Sequence, residues 1–334
     1  MKGFISHSKN VVEDMINGYL AVNPRRFIKV RGSNQKLNGF ILCDSSDKVS
    51  IVTGSGAGNE PWSIGFVGKG LADGVAAGTV FTAPPSRFIL NITKALPNKK
   101  GVLYICTNHA GDILNYELAG ELAELEGIET RCIKVSDDIA GPIGEAKEER
   151  RGQAGVAFVV KIAGAAAEAG YSLNEVARVA QKANERIYTF GVTLSSGYNP
   201  GGGEMVYEMR DGEVEYGKGF NGETGILIEE NRSAEEIIST LMEYLLREAV
   251  LTSLDEIVVL INGYGFTSTM EQCIIGKKVM EILSSQAVNI HHVVVDKIFS
   301  PSTQGCSISV MKLDDELRHL YDMQAYSPLI TCWK

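Results

Sequence analysis

Between residues 86 and 135 apolar and amphipathic segments alternate at short intervals. The spacing predicts helices over 86–96 and 113–125, a buried strand over 101–106 and a strand over 130–135. Strands interleaved with helices in this way bury both faces, which argues for an α/β fold with a mostly parallel sheet covered by helices. Ligands of such sheets sit beyond the carboxyl ends of the strands. The loop 107–112 follows one such end and is the first candidate for chemistry.

A second stretch points to the same crevice. The run Val49-Ser50-Ile51-Val52 reads as the end of a strand and is followed by Thr53-Gly54-Ser55-Gly56-Ala57-Gly58-Asn59-Glu60-Pro61. Its clustered glycines let the backbone turn sharply and approach a small ligand closely, although a bare turn would use them as well. A dinucleotide fingerprint needs glycine where Asn59 stands, and no phosphate-loop sequence is completed elsewhere. The Gly-x-Ser-x-Gly nucleophile elbow is also missing.

The 334 residues suffice for two domains. A helix is expected over 10–19, a strand pair over 40–43 and 49–52, and tightly packed backbone over the small residues 65–78. An alanine-rich helix over 152–170 comes next. Ser172-Leu173-Asn174-Glu175 and Ser233-Ala234-Glu235-Glu236 are capping boxes that open two further helices. A long glycine-rich region, 191–225, with strand candidates at 205–209 and 214–216, leads into strands at 256–261, 291–296 and 306–312 and a helix at 270–284. We place the boundary near residue 190, giving domains 1–190 and 191–334.

The net charge of −9 and the lack of a clustered Lys/Arg stripe argue against direct contact with nucleic acid. No apolar run is long enough for a membrane span and no signal pattern opens the chain, so a cytoplasmic location is expected. The six cysteines (Cys43, Cys106, Cys132, Cys273, Cys306, Cys332) are dispersed, and most are expected to serve as small core residues. The neighbours His291 and His292 open a strand and point to opposite faces, so no metal site is expected.

Asp112 is the best-placed ionisable residue: at the end of its loop it is either a helix N-cap or a crevice carboxylate able to act as general base. His109, in the same loop, is a second candidate for acid–base work.

Four motifs taken together resemble the substrate-binding K subunit of the dihydroxyacetone kinase family. They are Gly54-Ser55-Gly56-Ala57-Gly58-Asn59-Glu60-Pro61, Asn108-His109-Ala110-Gly111-Asp112-Ile113-Leu114-Asn115, Arg150-Arg151-Gly152-Gln153-Ala154-Gly155 and Gly219-Phe220-Asn221-Gly222-Glu223-Thr224-Gly225. The resemblance implies two α/β domains of the K-subunit type, a homodimer, and a triose pocket in the first domain closed by a loop of the second. It implies substrate contacts from Gly56, Ala57, Gly58, Asn59, Thr107, Asp112 and Asn221. It also implies that no cofactor binds this chain: a nucleotide or other phosphoryl donor would sit on a separate, L-type subunit.

In active members of that family one histidine captures the ketone carbonyl covalently and a second assists the hydroxyl that is phosphorylated. The resemblance puts Asn221 and Asn59 at those two positions, and Thr107 where a lysine is usual, while Asp112 is kept. A carboxamide nitrogen is delocalised into its carbonyl and is no nucleophile, so covalent capture should be lost. The expected function is therefore a catalytically impaired binder of dihydroxyacetone or a related small ketose or polyol. It would act as a ligand sensor or coactivator like the family's DhaQ-type proteins, which work with a TetR-like transcription regulator. The alternative is the substrate-binding subunit of a kinase acting on a small ketose or polyol, with Asp112 as base.

Overall fold

The computed structural model describes residues 4–330 apart from 6, 34 and 142–145; Cys332 lies outside the described residues. The first part of the chain runs α1 (Val11–Val22), β1 (Phe27–Arg31), β2 (Leu37–Leu42), β3 (Ser50–Ala57), β4 (Gly74–Val80), α2 (Ser86–Ala95), β5 (Val102–Thr107), α3 (Ala110–Leu125) and β6 (Thr130–Val135). Its strands form one sheet in the order β1-β2-β4-β3-β5-β6. The four from β4 to β6 are parallel and β1 and β2 are antiparallel additions. The α/β reading of 86–135 is met by α2, β5, α3 and β6.

Two expectations about this sheet fail. Strands β2 and β3 do not pair with each other, because β4 lies between them. That strand comes from the small-residue stretch Gly74-Val75-Ala76-Ala77-Gly78, which lacks the bulky β-branched signal of a typical strand. Nor is the glycine run a loop from its start, since β3 continues through Gly54 and Gly56 to Ala57. A Cβ on Gly54 would strike the Ala76 carbonyl oxygen and come within 2.7 Å of the Tyr116 hydroxyl. The glycines thus let β3 and β4 approach each other and let α3 lie close over them.

Helices α4 (Val156–Glu168) and α5 (Leu173–Glu185) follow. Every residue of α4 from Val156 to Ala167 is buried, which its alanines permit. This helix is the centre of one apolar core that takes side chains from β3, β5 and β6 on one side and from the second sheet on the other. The second part comprises β7 (Ile187–Thr193), β8 (Gly197–Tyr198), β9 (Met205–Tyr207), β10 (Glu213–Tyr216), β11 (Leu227–Glu230), α6 (Ala234–Ala249), β12 (Glu256–Gly263), α7 (Thr269–Ser285), β13 (Asn289–Asp296), β14 (Gly305–Leu313) and α8 (Asp315–Asp322). Its sheet has the order β11-β10-β7-β14-β12-β13 and is antiparallel except for the pair β12 and β13. The chain enters this sheet at Ile187, so a cut at residue 190 falls within β7.

Both expected capping boxes are formed, at Ser172 with Glu175 and at Ser233 with Glu236. A third, Ser268 with Glu271, opens α7. Of the described cysteines, Cys106 and Cys306 are buried, Cys132 is half-buried, and Cys43 and Cys273 are exposed, which corrects the expectation that most would be core residues. Cys43 lies just past the end of β2 and Cys273 on the outer face of α7.

Candidate functional site

The carboxyl ends of β3 and β5 open on one cavity of about 140 Å³. Pockets for drug-sized ligands span roughly 300–1,000 Å³, so this one fits something small. Ser55, Gly56 and Asn59 reach it from the β3 end, and Phe81 and Ala83 from the segment after β4. His109, Gly111 and Asp112 come from the start of α3, and Phe220 and Asn221 cover it from the second part of the chain.

Helix α3 starts at Ala110 with His109 in the capping position, so Asp112 is not the N-cap but lies in the first turn. Its carboxylate is buried. The Thr107 hydroxyl donates to Oδ2 at 3.0 Å, while Oδ1 has no partner. Burial raises the carboxyl to a pKa of about 7, against the opposing effect of the Thr107 hydrogen bond. A carboxyl with one oxygen free and a titration near neutrality is suited to proton transfer.

Asn59 is 1% exposed, and its Oδ1 also lacks a partner. Its backbone is fixed from the far side, where the Ser300 N–H donates to the Asn59 carbonyl at 3.1 Å. Just before it, the Gly58 N–H is held by the Glu60 carboxylate at 3.0 Å.

The covering loop is tied down by Glu223, which accepts from the Asn221 N–H at 3.0 Å and from its Nδ2 at 3.4 Å. Gly222 adopts φ +95°, which favours glycine. Phe220 meets the His109 ring edge-on at 4.7 Å between centroids. The His109 Nε2 lies 3.3 Å from the Gly152 carbonyl oxygen, and its Nδ1 faces Glu223 Oε1 at 4.0 Å. Burial lowers the His109 pKa, with Glu223 acting in the opposite sense.

Of the candidate residues, the fold brings Gly56, Asn59, His109, Asp112 and Asn221 to one cavity. Thr107 acts one step back by holding Asp112, and Ala57 and Gly58 shape the strand end without lining the space. Sequence reasoning passed over Ser55, Phe81 and Phe220 as lining residues, and Glu223 as the tether of the loop. The acidic residue two positions after Asn221 was a readable sign of that tether. Among the described residues no cluster of His, Cys, Asp and Glu could hold a metal ion. His291 instead bonds Asp322 and His292 bonds Tyr321. No helix among the described residues is long and apolar enough to cross a membrane.

Fold and site define an α/β protein with a small polar cavity between two sheets, closed by a loop from the second. Residues 17–329 match the Dak1 domain model, and the chain belongs to that family. It is 35% identical over 329 residues to the dihydroxyacetone-binding subunit DhaK of PTS-dependent dihydroxyacetone kinase 2 from Listeria innocua, covering 98% of both chains. Among solved structures it resembles the dihydroxyacetone kinase operon co-activator Dha-DhaQ, with a TM-score of 0.87, 26% identity and coverage of 94% of this chain and 96% of that one. It also resembles the C. freundii dihydroxyacetone kinase, with a TM-score of 0.88, 28% identity and coverage of 99% of this chain and 63% of that one.

Proposed function

We propose that this chain is a DhaK-like protein that binds dihydroxyacetone or a related small ketose or polyol without a covalent bond. In this reading it is catalytically impaired and acts as a ligand-sensing coactivator. The observation that carries it is the composition of the cavity: carboxamides, Asn59 and Asn221, stand where the family resemblance puts two imidazoles, beside a retained Asp112. A positioned acid or base contributes roughly 10²- to 10⁴-fold in rate, so the loss of both should leave at best a slow kinase. The likeness to the Dha-DhaQ co-activator supports the regulatory side. The protein would be a homodimer of two-domain chains in the cytoplasm. Its partner, a TetR-like regulator, would supply the DNA contact that a chain of net charge −9 lacks.

A second reading, a kinase subunit taking its phosphoryl donor from an L-type partner, is favoured by one observation: Asp112 and His109 line the same cavity. An assay with a purified L-type subunit and donor separates the two. The sensor reading expects no appreciable phosphorylation of trioses or tetroses, and turnover above ~1 s⁻¹, within the ordinary enzyme range, would rule it out.

A further inference from the structure

Several hydrogen-bond acceptors at the cavity are unmet. Asp112 Oδ1 and Asn59 Oδ1 are buried and have no partner, and Asp112 Oδ1 is an acceptor once the carboxyl has lost its proton, above about pH 7. His109 adds a third acceptor. Its Nε2 lies 3.3 Å from the Gly152 carbonyl oxygen, which can only accept, so Nε2 carries the proton of the neutral ring and Nδ1 keeps its lone pair. That lone pair faces Glu223 Oε1 at 4.0 Å, too long for a direct hydrogen bond, and two acceptors so placed need a donor from elsewhere. The Ser55 hydroxyl makes no hydrogen bond to any of the three.

Donors for ligand oxygens are also at hand. The first-turn N–H groups of α3 have no intrahelical partners, and Gly111 lines the cavity. Any ligand oxygen, hydroxyl or carbonyl, can be received there. The count of hydroxyl protons is therefore what separates one ligand from another. A three-carbon ketone with two hydroxyls brings two protons for three acceptors, whereas the corresponding triol brings three.

From this count we infer that the cavity is built to hold three hydroxyl groups, so that its preferred ligand is a three- or four-carbon polyol rather than the matching ketone. The inference rests on the reading of this cavity as a small polyhydroxyl site and specifies its ligand class. Without an imidazole at Asn221 to trap a carbonyl, the carbonyl carbon has no distinctive partner, and the secondary alcohol takes over as the group that is read. Leaving one buried acceptor unmet corresponds to roughly 5- to 150-fold in affinity. A ketose that binds should do so as its gem-diol hydrate, which restores the missing protons.

The test is calorimetric titration of the full chain with glycerol and with dihydroxyacetone under identical conditions at pH 8.5, where Asp112 is ionised and accepts. It is paired with carbon NMR of dihydroxyacetone labelled at C2, which tells ketone from hydrate in the bound state. The expected result is glycerol bound about tenfold or more tighter than the free ketone, with any bound dihydroxyacetone present as hydrate. His109→Phe should lower glycerol affinity about tenfold and leave that of the ketone within about twofold. His109→Gln, which keeps an acceptor oxygen, should preserve the preference. Dihydroxyacetone held as the ketone as tightly as glycerol, or more tightly, overturns the inference while leaving the site reading intact. Binding of neither compound overturns both.

Discussion

The Thr107 hydroxyl donates to one oxygen of Asp112 at 3.0 Å and leaves the other facing the cavity without a partner. Burial holds this carboxyl at a pKa of about 7, above the 3.8 of an unfolded chain. A folded-state pKa raised in this way favours the native state most below pH 3.8, and the contribution is lost as pH rises through 7. Asp112→Asn should therefore match the parent chain in acid and become progressively more stable than it between about pH 4 and 7. The difference should reach on the order of 4 kcal/mol at the alkaline end. Thermal midpoints of both chains from pH 4 to 9 check this, and a constant offset would contradict it.

Gly54→Ala places a methyl group against the Ala76 carbonyl oxygen and the Tyr116 hydroxyl. Two adjacent strands would have to separate beneath α3. A loss of about 3 kcal/mol is expected, the upper part of the range for overpacking, read as a lowered denaturant midpoint.

Lys48 donates to both oxygens of Asp73 at 2.7 Å in a buried pair, and Asp73 also accepts the Ile51 N–H at 2.8 Å. Lys48→Met should cost about 3–5 kcal/mol near neutral pH by stranding a buried carboxylate. Adding Asp73→Asn should recover much of that loss. A double-mutant cycle by chemical denaturation measures the coupling, and additive effects would refute it.

Asn221→His should restore a trap. Glu223, 3.4 Å from the Asn221 Nδ2, would take the ring N–H proton as the other ring nitrogen adds to the ketone carbon, and the former carbonyl oxygen would take up a proton from solvent to give the neutral hemiaminal. Crystals of the variant soaked in dihydroxyacetone should show density joining ring and ligand. A variant that folds and binds without forming the adduct would show that the cavity has diverged beyond this position.

Much of this was legible in the sequence, for identifiable reasons. The segment 86–135 announced itself because helices of period 3.6 and strands of solid apolar character differ in pattern. The serine-to-glutamate boxes at Ser172 and Ser233 carry their mechanism in four residues, and the same sign at Ser268 was there to be read. What escaped depended on distant pairing. Strand β4 hides in small residues whose strand character comes only from β2 and β3 on either side. The antiparallel second sheet depends on β7 meeting β14, more than a hundred residues later, which no local pattern records. Asp112 could be read as a cap as readily as a crevice carboxylate because helix starts are placed to within a few residues at best; His109 takes the cap position, and Asp112 is left to face the cavity.

The central claim is that this chain holds its ligand without a covalent bond. A crystal of the unmodified protein soaked in dihydroxyacetone tests it most directly. The account predicts a ligand near Asn59 and Asp112 separated from every side chain by ordinary hydrogen-bonding distances. Continuous density from any side chain to the ligand's central carbon would contradict it.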